Sequence, residues 1–288
     1  MTVDRRRTVI QATRRALEVR KRLGVALEDP ICAVDIAERL GLDVWFADVP
    51  SMEGIYQPGR RLILLSSLRP AGRQAFTCAH EIAHDEFGDG QQFDELVDGR
   101  TEARRHDPVE FRAEAFAGEL LMPKTTVALA FKERGADPCT CAPETFYAIS
   151  CWLGVGYATL VHHSFAALHL IHRTRRDELL RVRLPQMRQR ILGVSCAAHL
   201  LVLDLQWRSR AADMQVGDCL VLPAGADIEG GCARVLDRRG ALTIAEAVQP
   251  GLGRVAVSDW SAFIRISRKA YIGRARFRFD EEEDASDN

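Results

Sequence analysis

The stretch FTCAHEIAHDEF, residues 76–87, constrains this chain more than any other, because His80, Glu81 and His84 within it spell H-E-x-x-H. On a helix, positions four apart lie one turn above each other, so the two imidazoles project from one face and can share a metal ion. Glu81, next to the first histidine, then sits where it can take a proton from an activated water instead of binding the metal. The spacing predicts a helix here. Phe76, Ala79, Ile82 and Ala83 make an apolar stripe, Pro70 suits the first turn, and Gly88 and Gly90 end it.

Two histidines leave a zinc site one protein ligand short. The continuation H-E-x-x-H-x-x-G-x-x-H is excluded, since Phe87 and Gly90 occupy the glycine and final histidine positions. A carboxylate from a later helix is the other common solution. VEFRAEAFAGELLMP, residues 109–123, reads as a helix with Phe111, Ala115, Leu120 and Leu121 as its apolar stripe and Pro123 as its stop. Glu110 and Glu114 share one face of it, so Glu110 can reach the metal while Glu114 orients a histidine from behind. The bland alternative is that both are solvated surface charges, and His106 in the preceding loop is a rival third ligand.

FTCAHEIAH followed by EFRAEAFAGELLMP resembles the ImmA/IrrE family of bacterial metallopeptidases. The resemblance extends upstream through PICAVDIAERLGLDVWF and GIYQPGRRLILLSS, and downstream through ETFYAISCWLGVGYATLVHHSFAAL, covering residues 28–168 with the motifs in the family's order. It implies zinc ligands at His80, His84 and Glu110, one Zn2+ per chain, and Glu81 as the catalytic carboxylate. It also implies an intracellular endopeptidase that cleaves helix-turn-helix repressors, releasing genes of a mobile element or a stress response. Two other readings stay open: a regulator that binds DNA or a repressor without proteolysis, and a zinc hydrolase acting on a small-molecule amide.

The pattern along the chain predicts an α+β fold. Residues 1–27 form a basic amphipathic helix, with Val9, Ile10, Leu17, Val19 and Leu23 as its apolar residues, laid on the domain with a solvated basic face. Residues 28–170 form the zincin-like peptidase domain. In it a short helix over 33–40 leads to the strand LDVWFADV, and GIYQ and RLILLSS make two strands around a Pro-Gly turn. An edge of that sheet can hold an extended substrate by backbone pairing. Tyr56 on the first hairpin strand is either packing or an oxyanion donor. Residues 144–168 have the outline of a helix-turn-helix with its turn at Gly154 and Val155. The second helix offers His162 and His163 but no Arg or Lys before Arg173, so it is a structural pair and poorly equipped to grip phosphate. A basic connecting segment spans 171–190, a β-rich accessory or sensor domain 191–279, and an acidic tail 280–288.

Composition agrees with a folded chain away from membranes. At 288 residues, 47% hydrophobic and 27% charged, it can bury a substantial core, and no segment approaches a membrane span. The arginine-rich start lacks an apolar secretory core, which predicts a cytoplasmic protein. Without the acidic tail the formal charge moves from −1 to +5, too little to require nucleic acid as a partner. The eight cysteines are scattered; Cys139, Cys141 and Cys151 are the only candidates for a second metal or redox cluster, and Cys78 is expected to pack the motif helix.

Overall fold

The computed structural model describes residues 5–90, 92–95, 107–194 and 198–280, and within them the chain is mixed α and β. His106, Cys196 and residues 281–288 of the acidic tail lie outside the described residues. A long helix α1 (Arg5–Arg22) and a short α2 (Ala33–Arg39) precede strand β1 (Asp43–Ala47). β2 (Met52–Gln57) and β3 (Leu62–Ser66) follow, joined by a 3-10 turn over Pro58–Arg60. β2 runs antiparallel to β3, with Gly54 opposite Leu65, while β3 runs parallel to β1, with Val44 opposite Ile63. β4 (Gln92–Glu95) lies antiparallel on β2, so on that side the edge of the sheet is β4.

α3 (Ala71–Phe87) carries the motif and α4 (Pro108–Leu121) carries the second acidic stretch. α3 is pressed from two sides, by β2 and by α4, and from Thr77 to His84 every residue is buried. It ends where the sequence places glycine: Gly88 adopts φ +66°, a left-handed cap that a Cβ would strain. α4 begins on an Asp107 cap, whose carboxylate accepts from the Val109 N–H at 2.8 Å, with Pro108 in the first turn.

α1 packs along α4 through only part of the apolar set expected, Val19 among it, with Leu23 against the core. Ala12, Ala16, Val19 and Arg20 face inward, whereas Val9 and Ile10 are 41% and 58% exposed. The small alanines bring the helices close, which the larger apolar side chains would prevent. Arg20 is fully buried. Its guanidinium donates to the carbonyls of Leu120 at 3.0 Å, Ala26 at 2.8 Å and Asp29 at 3.0 Å, tying the end of α4 to the turn after α1. Burial lowers its pKa to about 10, with the Asp29 carboxylate pulling it back up.

Four helices follow in short steps: α5 (Lys124–Glu133), α6 (Pro143–Leu153), α7 (Tyr157–Ala166) and α8 (Arg173–Arg181), with α9 (Leu184–Leu192) leading out. α6 and α7 meet across Gly154, at φ +69°, and Val155. Beyond them come β5 (Leu200–Val202), β6 (Ala212–Gln215), β7 (Cys219–Pro223), β8 (Asp227–Glu229), β9 (Ala233–Arg239), β10 (Leu242–Ala247), β11 (Gly251–Val257), β12 (Trp260–Ser267) and β13 (Gly273–Arg274). β5, β7, β10 and β9 form one four-stranded sheet and β6, β12, β11 and β8 another.

β13 lies inside the segment expected to form the accessory domain, yet it pairs with β1, Arg274 opposite Trp45, and completes the first sheet. Charged forks reinforce the join. Arg134 grips Asp204 at 2.7 and 2.9 Å, and Arg265 grips Asp213 at 2.5 and 2.8 Å while reaching Asp35 of α2 at 2.9 Å. These bidentate pairs are more specific in geometry than single ion pairs.

Arg20 is the sharpest test of this packing. Arg20→Met keeps the stem and removes all three carbonyl partners, so it is expected to lower unfolding stability by about 2–4 kcal/mol. A shift in denaturant midpoint at unchanged slope reads it.

Candidate metal centre

α3 and α4 together bring three ligand atoms to one point. One atom each from His80, His84 and Glu110 lie within 4.8 Å of one another, and among the described residues no other group of His, Cys, Asp or Glu is so placed. His80 Nε2 is 3.3 Å from Glu110 Oε2 and His84 Nε2 is 3.9 Å from Glu110 Oε1. The one-turn offset sets the imidazole centroids 4.9 Å apart, as the i, i+4 spacing requires. Both histidines are buried, and Glu110 is 17% exposed, entering from the first turn of α4.

The protonation of His84 can be argued from its neighbours. Its Nδ1 lies 3.0 Å from Asp89 Oδ2, which assigns the proton to Nδ1 and turns the Nε2 lone pair toward His80 and Glu110. That Nε2 is buried with no hydrogen-bond partner among the described residues. Burial, then His80 beside it, lowers the His84 pKa, with Asp89 and Glu110 opposing, so the ring is neutral near pH 7. An orphaned lone pair, a second imidazole and a carboxylate converging at this range suit zinc: three protein ligands, with a fourth position left for water or substrate.

Asp89 is in turn held from outside. Arg112 donates to Asp89 Oδ1 at 2.6 Å and its guanidinium stacks 4.1 Å above the Phe87 ring. The supporting carboxylate is therefore Asp89, whereas Glu114, expected behind a histidine, is exposed and lines the open cleft. Asp89 was legible in principle: it stands just past the glycine that ends α3, and its N–H closes back on the His84 carbonyl at 2.9 Å.

Glu81 is 1% exposed and lies on the side of α3 that faces β2. Gly54 of β2 makes room for it. A Cβ at that position would overlap the Thr77 methyl and stand 3.1 Å from Glu81 Oε1. Tyr56 does not reach the centre. Its hydroxyl donates to Asp85 at 2.5 Å, and burial followed by that bond raises its pKa, which leaves it a packing residue. His162 and His163 do not join the centre either. His163 is neutral, burial holding its pKa down to about 4, and it donates to the Met122 carbonyl at 3.0 Å, clamping α7 to the end of α4. Gly118 permits that approach, since a Cβ there would be 2.9 Å from the His163 ring.

Cys78 is buried and packs α3, as expected of a small hydrophobe. Cys139 contacts the Leu170 carbonyl at 3.4 Å and Cys151 the Leu200 carbonyl at 3.9 Å; they share no metal group with Cys141.

The centre opens on a cleft of about 1540 Å³. His80 and Glu110 line it, together with Phe76, Thr77, Phe111 and Glu114. Its far wall is the α6–α7 turn, where Gly72 at the start of α3 sits so close that a Cβ would stand 2.6 Å from the Gly156 nitrogen.

Residues 37–142, α2 to the loop before α6, match the model of the IrrE N-terminal-like domain. The radiation response metalloprotease IrrE of Deinococcus radiodurans is 30% identical over 89 residues, 31% of this chain and 27% of that protein. The chain thus aligns with about a quarter of the length of that relative. A solved Mycobacterium tuberculosis transcriptional regulator overlaps 54% of this chain and 45% of its own, at 22% identity and a TM-score of 0.36.

The support around His84 has a measurable consequence. Asp89→Ala is expected to weaken zinc binding about 10–100-fold with the fold unchanged. Competition against a chromophoric chelator measures the affinity, and circular dichroism checks the fold.

Proposed function

We propose, from the similarity of residues 37–142 to the IrrE N-terminal-like domain, that this protein is a zinc-dependent endopeptidase of the ImmA/IrrE family, with His80, His84 and Glu110 as ligands of one Zn2+ and Glu81 as general base. The observation that carries the reading is the convergence of the three ligand atoms within 4.8 Å, one of them from the histidine that precedes the buried Glu81 in sequence. When bound there, zinc would polarise a peptide carbonyl and ease deprotonation of a water.

The chain's own residues do the rest. Asp89 fixes the tautomer and tilt of His84, and Arg112 fixes Asp89. Gly54 lets β2 close over Glu81, which shields that carboxylate from bulk water. Glu81 takes the proton released as water adds to the scissile carbonyl, and returns it to the departing amine. The edge strand β4 is where an extended peptide would pair.

The substrate we assign is a helix-turn-helix repressor, whose cleavage derepresses genes of a mobile element or a stress response. Support comes from the family resemblance and from the relative's description as a radiation response metalloprotease. A cytoplasmic site of action accords with this, and no helix among the described residues is long and apolar enough to cross a membrane.

The alternative of DNA binding by the helix-turn-helix-like pair fits less well. α7 buries Tyr157, Leu160, Val161 and Ser164, is clamped through His163, and offers no arginine or lysine. The pair serves as a wall of the cleft.

Zinc-loaded protein incubated with the helix-turn-helix repressors encoded beside its gene tests the reading. One of them is expected to yield two discrete fragments. Glu81→Gln should retain zinc yet lose at least about 100-fold in cleavage rate. Equal rates for the two proteins would remove Glu81 from the mechanism, and intact repressors throughout would remove the assigned substrate.

A further inference from the structure

The outer face of α1 continues the cleft without a break. Val9 and Ile10, which the helical pattern expects against the core, are 41% and 58% exposed, because α1 meets α4 through alanines instead. With Thr13 and Leu17 they floor a shallow groove of about 430 Å³, edged by Arg14 and Lys21. Val9, Ile10 and Thr13 also line the large cleft into which His80 and Glu110 face. Arg5 and Arg6 stand at the junction, the Arg5 guanidinium 5.6 Å above the ring of Phe111, the residue after Glu110.

Two properties of this face point to one kind of occupant. The apolar side chains recur at helical spacing over roughly 10 Å of axis, which suits the apolar stripe of a second helix laid along it. The charge is one-sided. Glu18 is the only acidic residue of α1, and Arg14 at 2.8 Å and Arg15 at 3.8 Å already hold it. Arg6, Lys21 and the remaining donors of Arg14 thus flank the stripe with positive charge.

We infer that the outer face of α1 is a docking surface for the protein substrate, and that it takes an amphipathic segment whose apolar stripe is flanked by acidic residues. This rests on the peptidase reading for its purpose: docking beside the cleft raises the local concentration of the scissile segment at the metal centre. The surface selects substrates through binding, so its loss raises KM and leaves kcat for a short peptide unchanged.

The test uses two labelled synthetic helical peptides of equal length with a leucine stripe, one flanked by glutamates and one by lysines. Fluorescence anisotropy is measured on the full chain and on Ile10→Asp, whose site is exposed and outside the metal centre. The acidic peptide is expected to bind at least about tenfold tighter than the basic one, and Ile10→Asp to weaken it about tenfold. Lys21→Glu, which leaves the apolar floor intact, should weaken the acidic peptide and strengthen the basic one.

Equal binding of both peptides, or unchanged binding by Ile10→Asp, overturns the inference. So does a wild-type dimer that Ile10→Asp dissociates in sedimentation, which would make a second copy the occupant. Binding that appears only after residues 281–288 are deleted overturns it in favour of the chain's own acidic tail. Failure of the peptidase reading looks different. The acidic peptide then still binds wild type and not Ile10→Asp, while no repressor is cleaved. Conversely, cleavage of a repressor with equal KM in wild type and Ile10→Asp keeps the peptidase and removes the docking surface.

Discussion

Holding three ligand atoms within 4.8 Å of one another is the constraint on which the rest of this structure depends. Two of them come from successive turns of α3 and cost the chain nothing beyond a helix. The third comes from α4, and its position is set by packing and not by local sequence. His84 Nε2 is buried with no hydrogen-bond partner among the described residues, a penalty of about 1–3 kcal/mol for a lone polar atom. A fold that keeps such an atom has its use elsewhere, and the use proposed here is a metal ligand.

Three separate contacts hold α4 to that position. Arg20 of α1 caps its carbonyl at Leu120, His163 of α7 caps the one two residues on at Met122, and Arg112 of α4 itself reaches back to Asp89 after α3. Two of the contributors, the buried Arg20 and the half-buried His163, each bond to backbone, so each is specific about where α4 ends. Glycines then set the spacing. Gly54 lets β2 rest on Thr77 and Glu81, Gly72 lets α3 touch the α6–α7 turn, and Gly118 lets α7 touch α4. The cleft is the space these close approaches leave between them.

How much of this the sequence carried depends on whether the information was local. The motif helix, its glycine stop and the hairpin around Pro58 and Gly59 were legible because period and turn chemistry act over a few residues. Glu110 was legible because a helical face and the family's motif agreed on it. Asp89 carried only a weak signal, its place just past the glycine that ends α3, because its role follows from how the chain turns after Gly88. Glu114 was chosen instead on helical spacing alone, which ignores where that face points. The inner face of α1 was read only in part, Val19 correctly and Val9 and Ile10 not, for a related reason. Hydrophobic size favoured Val9 and Ile10, but close helix packing favours alanine, and that preference belongs to the partner helix. The pairing of β13 with β1 is wholly non-local, since a two-residue strand leaves no periodic signal.

The measurement that bears most directly on this account is zinc per chain by elemental analysis, on wild type and on Glu110→Ala purified side by side. The account predicts one zinc in the wild type and a small fraction of that in the variant, with the same circular dichroism spectrum. Wild-type protein that takes up no zinc when it is supplied, or a variant that retains it fully, would contradict the centre as described.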